Sequence, residues 1–276
     1  MFLDCGNRRL DLARPCVMGI LNVTPDSFAD GGRYADAAAA VARASRMVEE
    51  GAAIIDVGGE STRPGAQPIP VEEELRRVLP VIEALTGRIE AVVSVDTSQP
   101  QVMRAAIAAG AGLVNDVRAL AVPGALETVA SSPAAVCLVH LRGEPRTMQT
   151  DPSYVDVVTE VRAFLARRAE ACREAGIAAE RIAVDPGFGF GKAADHNLAL
   201  LGRLERLCEL GFPVLVGLSR KSMVGRLTGR AVDDRLAGSL ALAAIAVLRG
   251  ASIVRAHDVA ATVDAVRVAE AVRRVP

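Results

Sequence analysis

Tryptophan is absent from this chain, and aromatic residues of all kinds make up only 3% of it. With so few rings available, the place of each phenylalanine is informative. A surplus of either charge is lacking too: 32 basic residues face 33 acidic ones, for a formal net charge of −1. No global field therefore draws in nucleic acid or a membrane surface, and any anion site must be local. No stretch of about 18 apolar residues occurs, which excludes a membrane-spanning helix. The first residues, MFLDCGNRRLDLARP, carry charges where a secretory signal would have an apolar run, so a soluble, cytoplasmic protein is expected. The five cysteines (Cys5, Cys16, Cys137, Cys172 and Cys208) form no CxxC pair, and their odd number and wide spacing speak against a disulfide framework. They read as buried thiols of a reducing compartment. A GxGxxG loop after the first strand is missing, which counts against a dinucleotide-binding sheet. Linkers, low-complexity tracts and long charge blocks are absent as well. A single domain over residues 1–276 is expected, its core running from about 15 to 273.

Short apolar runs and helical patterns, by contrast, alternate about eight times along the chain. The strand candidates are Cys16–Asn22, Ala53–Val57, Ala91–Asp96, Gly112–Val117, Ala135–His140, Arg181–Asp185, Pro213–Ser219 and Ala251–Arg255. Most are rich in β-branched residues, and each is bounded by Gly, Pro or a charge. Between them, Val71, Leu75, Val78, Leu79, Ile82 and Leu85 recur at helical spacing, with Glu72, Glu73, Arg76 and Arg77 on the other face. Leu198, Leu201, Leu204, Leu207 and Cys208 repeat that pattern, as does Leu236–Leu248. Near-continuous apolar strands separated by helices predict a parallel sheet covered by helices, an α/β fold. Eight such units predict a closed (β/α)8 TIM barrel, for which 276 residues suffice. A chain of this length buries about three quarters of its unfolded surface, so the core needs no staples.

At or just after the last residue of each run stands a polar side chain. These are Asn22, Asp56 with Glu60, Asp96, Asn115 with Asp116, His140, Asp185, Ser219 with Lys221, and Arg255 with His257. In a parallel barrel such positions open onto one face, where TIM-barrel active sites sit. Some suit helix capping instead, and Asp56 and Asp116 are expected to cap or brace loops. Capping does not account for Lys221, Arg255 or His257. His140 reads either as facing the mouth or as a bracing histidine, and His196 as a surface or capping residue. The segments Asn22–Gly32 and Gly58–Ala66 are long and rich in Gly and Pro, as lids are. Phe28, Phe188 and Phe190 all fall in loops of this face, which points to a flat ligand stacking on them. The competing reading tucks each ring back onto the barrel.

At these residues the sequence resembles the dihydropteroate synthase family of pterin-binding barrels. The matching stretches are NVTPDSF (22–28), GGESTRPGA (58–66), SVDTS (94–98), NDV (115–117), DPGFGFGK (185–192), GLSRKS (217–222) and RAHDV (255–259). They follow the family's order and span nearly the whole chain. NVTPDSF and GESTRPGA together are specific, whereas SVDTS alone is weak. The segment VHLRGEPRTMQ (139–149) departs from the family, which commonly has HMQG there.

The resemblance implies two substrates, 6-hydroxymethyl-7,8-dihydropterin pyrophosphate and 4-aminobenzoate, joined with release of pyrophosphate. It also implies a homodimer, a Mg²⁺ cofactor held in part by Asn22, and a sulfonamide target. The side chains suit this chemistry. A pterin edge presents donors beside acceptors, and Asp96, Asn115, Asp185 and Lys221 offer the complementary set, since a buried polar group left unpaired costs about 1–3 kcal/mol. Pyrophosphate calls for forked cations and donors, which Arg63, Arg255, His257 and Thr62 supply, with Asn22 adding a hard oxygen for the metal. Thr62, Pro64, Phe190, Lys221 and Ser222 are candidates for lining the aminobenzoate pocket. Arg63, Lys221, Arg255 and His257 are the residues expected to act on the reacting groups. Two other readings remain open at this point. One is methyl transfer from methyltetrahydrofolate on the same barrel, and the other is a non-catalytic paralogue that binds a pterin without turnover.

Overall fold

The eight apolar runs become one parallel sheet closed on itself in the computed structural model, which describes residues 1–23, 32–60, 67–144 and 147–275, with 32–36 as backbone only. A short antiparallel hairpin comes first, β1 (Phe2–Asp4) and β2 (Arg9–Asp11). Then follow β3 (Cys16–Asn22), α1 (Gly32–Glu49), β4 (Ala52–Gly58), α2 (Val71–Leu85), β5 (Val92–Asp96), α3 (Pro100–Ala108) and β6 (Leu113–Asp116). Next come α4 (Ala125–Ala130), β7 (Ala135–Val139), α5 (Val157–Glu174), β8 (Ile182–Asp185), α6 (Ala194–Gly202) and α7 (Glu205–Cys208). The chain finishes with β9 (Leu215–Gly217), α8 (Ser222–Thr228), α9 (Leu236–Leu248), β10 (Ile253–Ala256) and α10 (Val259–Arg273). Neighbouring strands run β8-β7-β6-β5-β4-β3-β10-β9, and a bridge between Val184 and Val214 joins the two ends of that order.

Strand pleating sorts the side chains into two cores. Ile55, Val57, Val93, Val95, Val114, Val136, Val184 and Val254 face outward and pack under the helices in the larger apolar cluster. Met18, Ile54, Val92, Leu113, Cys137, Ala183, Leu215 and Ile253 belong to a separate cluster inside the barrel. Leu3, Cys5, Leu10 and Leu12, from the N-terminal hairpin and its flanks, join that inner cluster and cover its lower end. The hairpin lies ahead of the core expected to begin near residue 15. Its strands are three residues each, too short to display a period. The helical pattern over 198–208 is also divided, into α6 and α7, with the break at Arg203 and Leu204.

Candidate active site

On five of the strands the interior apolar residue is followed two positions later, on the same face, by a polar one nearer the strand's C-terminus. Ile54 precedes Asp56, Val92 precedes Ser94 and Asp96, Leu113 precedes Asn115, Ala183 precedes Asp185, and Ile253 precedes Arg255. The polar members gather at the upper mouth. At their centre is Asp56, fully buried. Its Oδ1 accepts from Ser94 Oγ at 2.6 Å, and its Oδ2 accepts from Asn115 Nδ2 at 3.0 Å and from Arg255 Nε at 2.6 Å. Arg255 Nη2 donates to Asp96 Oδ2 at 2.7 Å. Burial works against the charge on Arg255, but the two carboxylates outweigh it and hold the guanidinium above its ordinary pKa. Burial also raises Asp96, and Arg255 opposes that rise. Asn115 gives its amine to Asp56, and among the described residues its buried Oδ1 has no hydrogen-bond partner. A buried polar atom without a partner in the empty protein is what a site kept for a donor-bearing ligand looks like.

Beside this network lies the loop after β8. Asp185 Oδ1 accepts from Gly187 N at 2.6 Å, and burial raises the Asp185 pKa against the pull of that bond and of Lys221. The Lys221 ammonium donates to the Phe188 carbonyl and lies 4.3 Å from the centre of the Phe190 ring. Burial lowers its pKa to about 8. On the far side of β10, His257 Nδ1 is 3.0 Å from Ser219 Oγ, which also accepts from the His257 backbone N–H at 3.2 Å. A shallow, open cleft between α6 and α8 is lined by Phe188, Gly189, Lys192, Lys221, Ser222 and Arg226 among others.

The structure thus unites Asp96, Asn115, Asp185, Lys221 and Arg255 at one mouth, with Phe190 and Ser222 alongside Lys221 and with His257 just past the end of β10, two residues beyond Arg255. Asn22 ends β3, and a Cβ on Gly58 would sit 3.7 Å from Asn22 Oδ1 and 3.8 Å from Asp96 Oδ2, so the amide oxygen neighbours the network. Thr62, Arg63 and Pro64, and Phe28 with the rest of its loop, lie outside the described residues. Asp116 braces a loop as expected, accepting from Arg118 N, Leu120 N and Ser98 Oγ. His196 closes a helix start, accepting from Ala193 N at 3.2 Å, and His140 is a buried brace.

Three expectations need correction. Asp56 neither caps nor braces a loop: it shares its strand face with Ile54, so the pleat turns it into the barrel beside Arg255. That parity was present in the sequence and would have found it. Phe188 offers no stacking surface, since it is 1% exposed and packs into the outer core. Arg255 is not directed at an anion alone, because Nε and Nη2 are already held by carboxylates; only Nη1 has no partner among the described residues. Arg142, in the segment that departs from the family, pairs with Glu160 at 2.8 Å and lies over the Tyr154 ring.

A parallel barrel whose mouth holds an acid–amide–lysine reader next to a buried arginine defines a pterin-binding enzyme, and the family model described as "Pterin binding enzyme" matches residues 18–257. Among curated proteins, the dihydropteroate synthase of Escherichia coli K12 is 53% identical over 262 residues, covering 95% of this chain and 93% of its own. Two solved structures of the Xanthomonas albilineans dihydropteroate synthase are similar throughout. The one with 4-aminobenzoic acid has a TM-score of 0.93 at 56% identity, covering 100% of this chain and 99% of the other. The one in complex with 7,8-dihydropteroate has a TM-score of 0.88 at 51% identity, with the same coverage. The chain belongs to the dihydropteroate synthase family.

Proposed function

We propose that this protein condenses 6-hydroxymethyl-7,8-dihydropterin pyrophosphate with 4-aminobenzoate to give 7,8-dihydropteroate and pyrophosphate. The observation that carries the reading is the buried Asn115 Oδ1, which has no hydrogen-bond partner among the described residues and lies on a side chain bonded to Asp56. A pterin edge supplies N–H donors to Asn115 Oδ1, Asp96 and Asp185, while the Lys221 ammonium donates to a ring acceptor. Arg255 joins the two halves of the site. Its Nε and Nη2 fix Asp56 and Asp96, and its charge, with His257, serves the pyrophosphate that departs, a role the family resemblance also gives Arg63.

In the reaction the bond from the pterin methylene to the pyrophosphate oxygen breaks, and its electron pair leaves with pyrophosphate. A bond from that carbon to the arylamine nitrogen forms, and the nitrogen then gives up a proton. No described residue is placed as a dedicated base, which fits departure running ahead of attack. Asp56, Asp96 and Asp185 then steady the positive charge left on the pterin, and exclusion of water protects that electrophile. In this reading Phe190, Lys221 and Ser222 are the described residues for the arylamine side, and the family resemblance adds Thr62 and Pro64. Sulfonamides, flat arylamines with a polar para group, would compete there.

The donor set fits Mg²⁺ in a limited way. Among the described residues no group of three His, Cys, Asp or Glu side chains is placed to hold a metal. Asn22 offers one hard oxygen, which suits an ion carried mainly by phosphate oxygens and water. When bound, the ion neutralises charge on the leaving pyrophosphate. A homodimer is part of the same reading: α9 exposes Leu236, Ile245 and Leu248, and α10 exposes Val268 and Val272, an apolar surface that a second copy would cover. So is a cytoplasmic location, which suits five free cysteines; no helix among the described residues is long and apolar enough to cross a membrane. The test is incubation with both substrates and Mg²⁺, followed by quantifying pyrophosphate and dihydropteroate. Tight pterin binding without either product would overturn the reading in favour of a non-catalytic paralogue. Sedimentation of the same sample as a single 28.8-kDa chain would overturn the dimer.

A further inference from the structure

Lys192 is 2% exposed, and the reaction described above makes no use of it. Its Nζ lies 2.9 Å from the Gly187 carbonyl, 2.9 Å from the Phe190 carbonyl, 2.9 Å from His140 Nδ1 and 3.3 Å from the His140 carbonyl. All these acceptors belong to the turn after β8 or to the residue after β7. Among the described residues no carboxylate is hydrogen-bonded to it. Burying an ammonium is costly, and here three backbone dipoles and an imidazole offset that cost. Burial lowers the Lys192 pKa, Asp185 opposes the shift and Lys221 adds to it. Burial and the neighbouring Lys192 push His140 down to about 3, with Arg142 contributing, so its ring is neutral and can accept.

The turn that Lys192 holds is an unusual one. Gly187, Gly189 and Gly191 all have positive φ, at 67°, 80° and 64°. A Cβ on Gly187 would collide with the His140 carbonyl, and one on Gly191 with the Arg142 carbonyl, so the turn lies backbone against backbone on residues 140–142. Its other members hold the pterin reader: the Phe188 carbonyl accepts from Lys221, the Phe190 ring lies under the same ammonium, and Gly187 N donates to Asp185.

We propose that Lys192 is a positioning residue for pterin recognition: by tying Gly187, Phe190 and His140 to one ammonium, it sets where Lys221 and Asp185 stand. The proposal rests on the pterin reading of the site. Lys192→Met keeps an unbranched side chain one heavy atom shorter and removes the charge and the donors. Steady-state kinetics of the full chain should show KM for the pterin substrate rising at least tenfold while kcat at saturation stays within threefold. A purely structural role would lower kcat through lost folded enzyme and leave KM unchanged, and that result would overturn the proposal. His140→Leu, which removes one acceptor and leaves the carbonyls, should raise the same KM about threefold. If Lys192→Met does not fold, an unchanged KM in His140→Leu overturns the proposal by itself. Should the wild type yield no dihydropteroate, the activity reading fails separately. Calorimetry with the pterin alcohol would then decide the role of Lys192, with at least tenfold weaker binding expected in Lys192→Met and unchanged affinity refuting it.

Discussion

The two ends of the barrel are built from the same strands and the same pleat face, yet they hold opposite chemistry. Toward the lower end, Leu3, Cys5, Leu10 and Leu12 meet Met18, Ile54, Leu113 and Ile253 in an apolar cluster. Two residues further along the strands the interior holds Asp56, Ser94, Asp96, Asn115, Asp185 and Arg255. Burying a large aliphatic side chain contributes about 1.5–3 kcal/mol, so the lower layers stabilise the fold. Buried ion pairs are at best weakly favourable, because desolvation offsets most of the attraction. The upper layer is therefore no asset to folding. It is tolerated where the lower core can carry it, and it persists for what it binds.

That division predicts that damage at the two ends shows in different measurements. The largest effect belongs to Arg255→Ala. It removes the cation shared by Asp56 and Asp96 and the charge facing the leaving group. Loss of one such preorganised group typically costs roughly 10²–10³ in rate, and kcat/KM per folded enzyme is expected to fall by about that much. A value within a few-fold of wild type would mean that leaving-group charge is stabilised elsewhere. The next effect lies at the other end. Leu3 is fully buried under the barrel, and Leu3→Ala should cost about 3 kcal/mol in urea unfolding, as large-to-small core changes do. Its kcat/KM should stay within twofold. A tenfold loss of activity in the folded variant would break the comparison, since it would tie the sealed end to the chemistry.

Most of this arrangement was legible in the sequence, for physical reasons. Buried parallel strands read as unbroken apolar runs, so the strands could be placed to within two residues, and α9 matches the periodic segment Leu236–Leu248. Strand ends marked the mouth because polar side chains interrupt those runs there. Asp56 was harder to read, since its meaning depends on parity within the strand rather than on polarity. The carboxylate grip on Arg255 and the Lys192 nest were out of reach for another reason. Each joins residues dozens to nearly two hundred positions apart, and only closure of the ring brings them together.

The smallest effect tests whether every buried acid of the upper end serves the ligand. Glu74, in the first turn of α2, is 1% exposed, and among the described residues no group stands within ordinary hydrogen-bond geometry of either of its oxygens. It packs beside Gly59, where a Cβ would stand 3.2 Å from Glu74 Cγ, at the root of the segment that follows β4. Burial raises its pKa from 4.5 to about 7; Thr97 and Arg77 oppose the shift and Glu60 adds to it. A carboxyl whose pKa is higher folded than unfolded stabilises fully below pH 4.5, and that contribution fades as pH climbs through about 7. At about 1.4 kcal/mol per unit, the shift from 4.5 to about 7 amounts to roughly 2–3 kcal/mol. Glu74→Gln abolishes the titration, so its stability relative to wild type should improve by that amount between pH 4.5 and 8 in urea unfolding, with kcat/KM at pH 7 within twofold. Parallel stability profiles would show that Glu74 is ionised in the fold. A collapse of kcat/KM would place it with the acids that read the ligand, and the upper end would then contain no purely structural charge at this position.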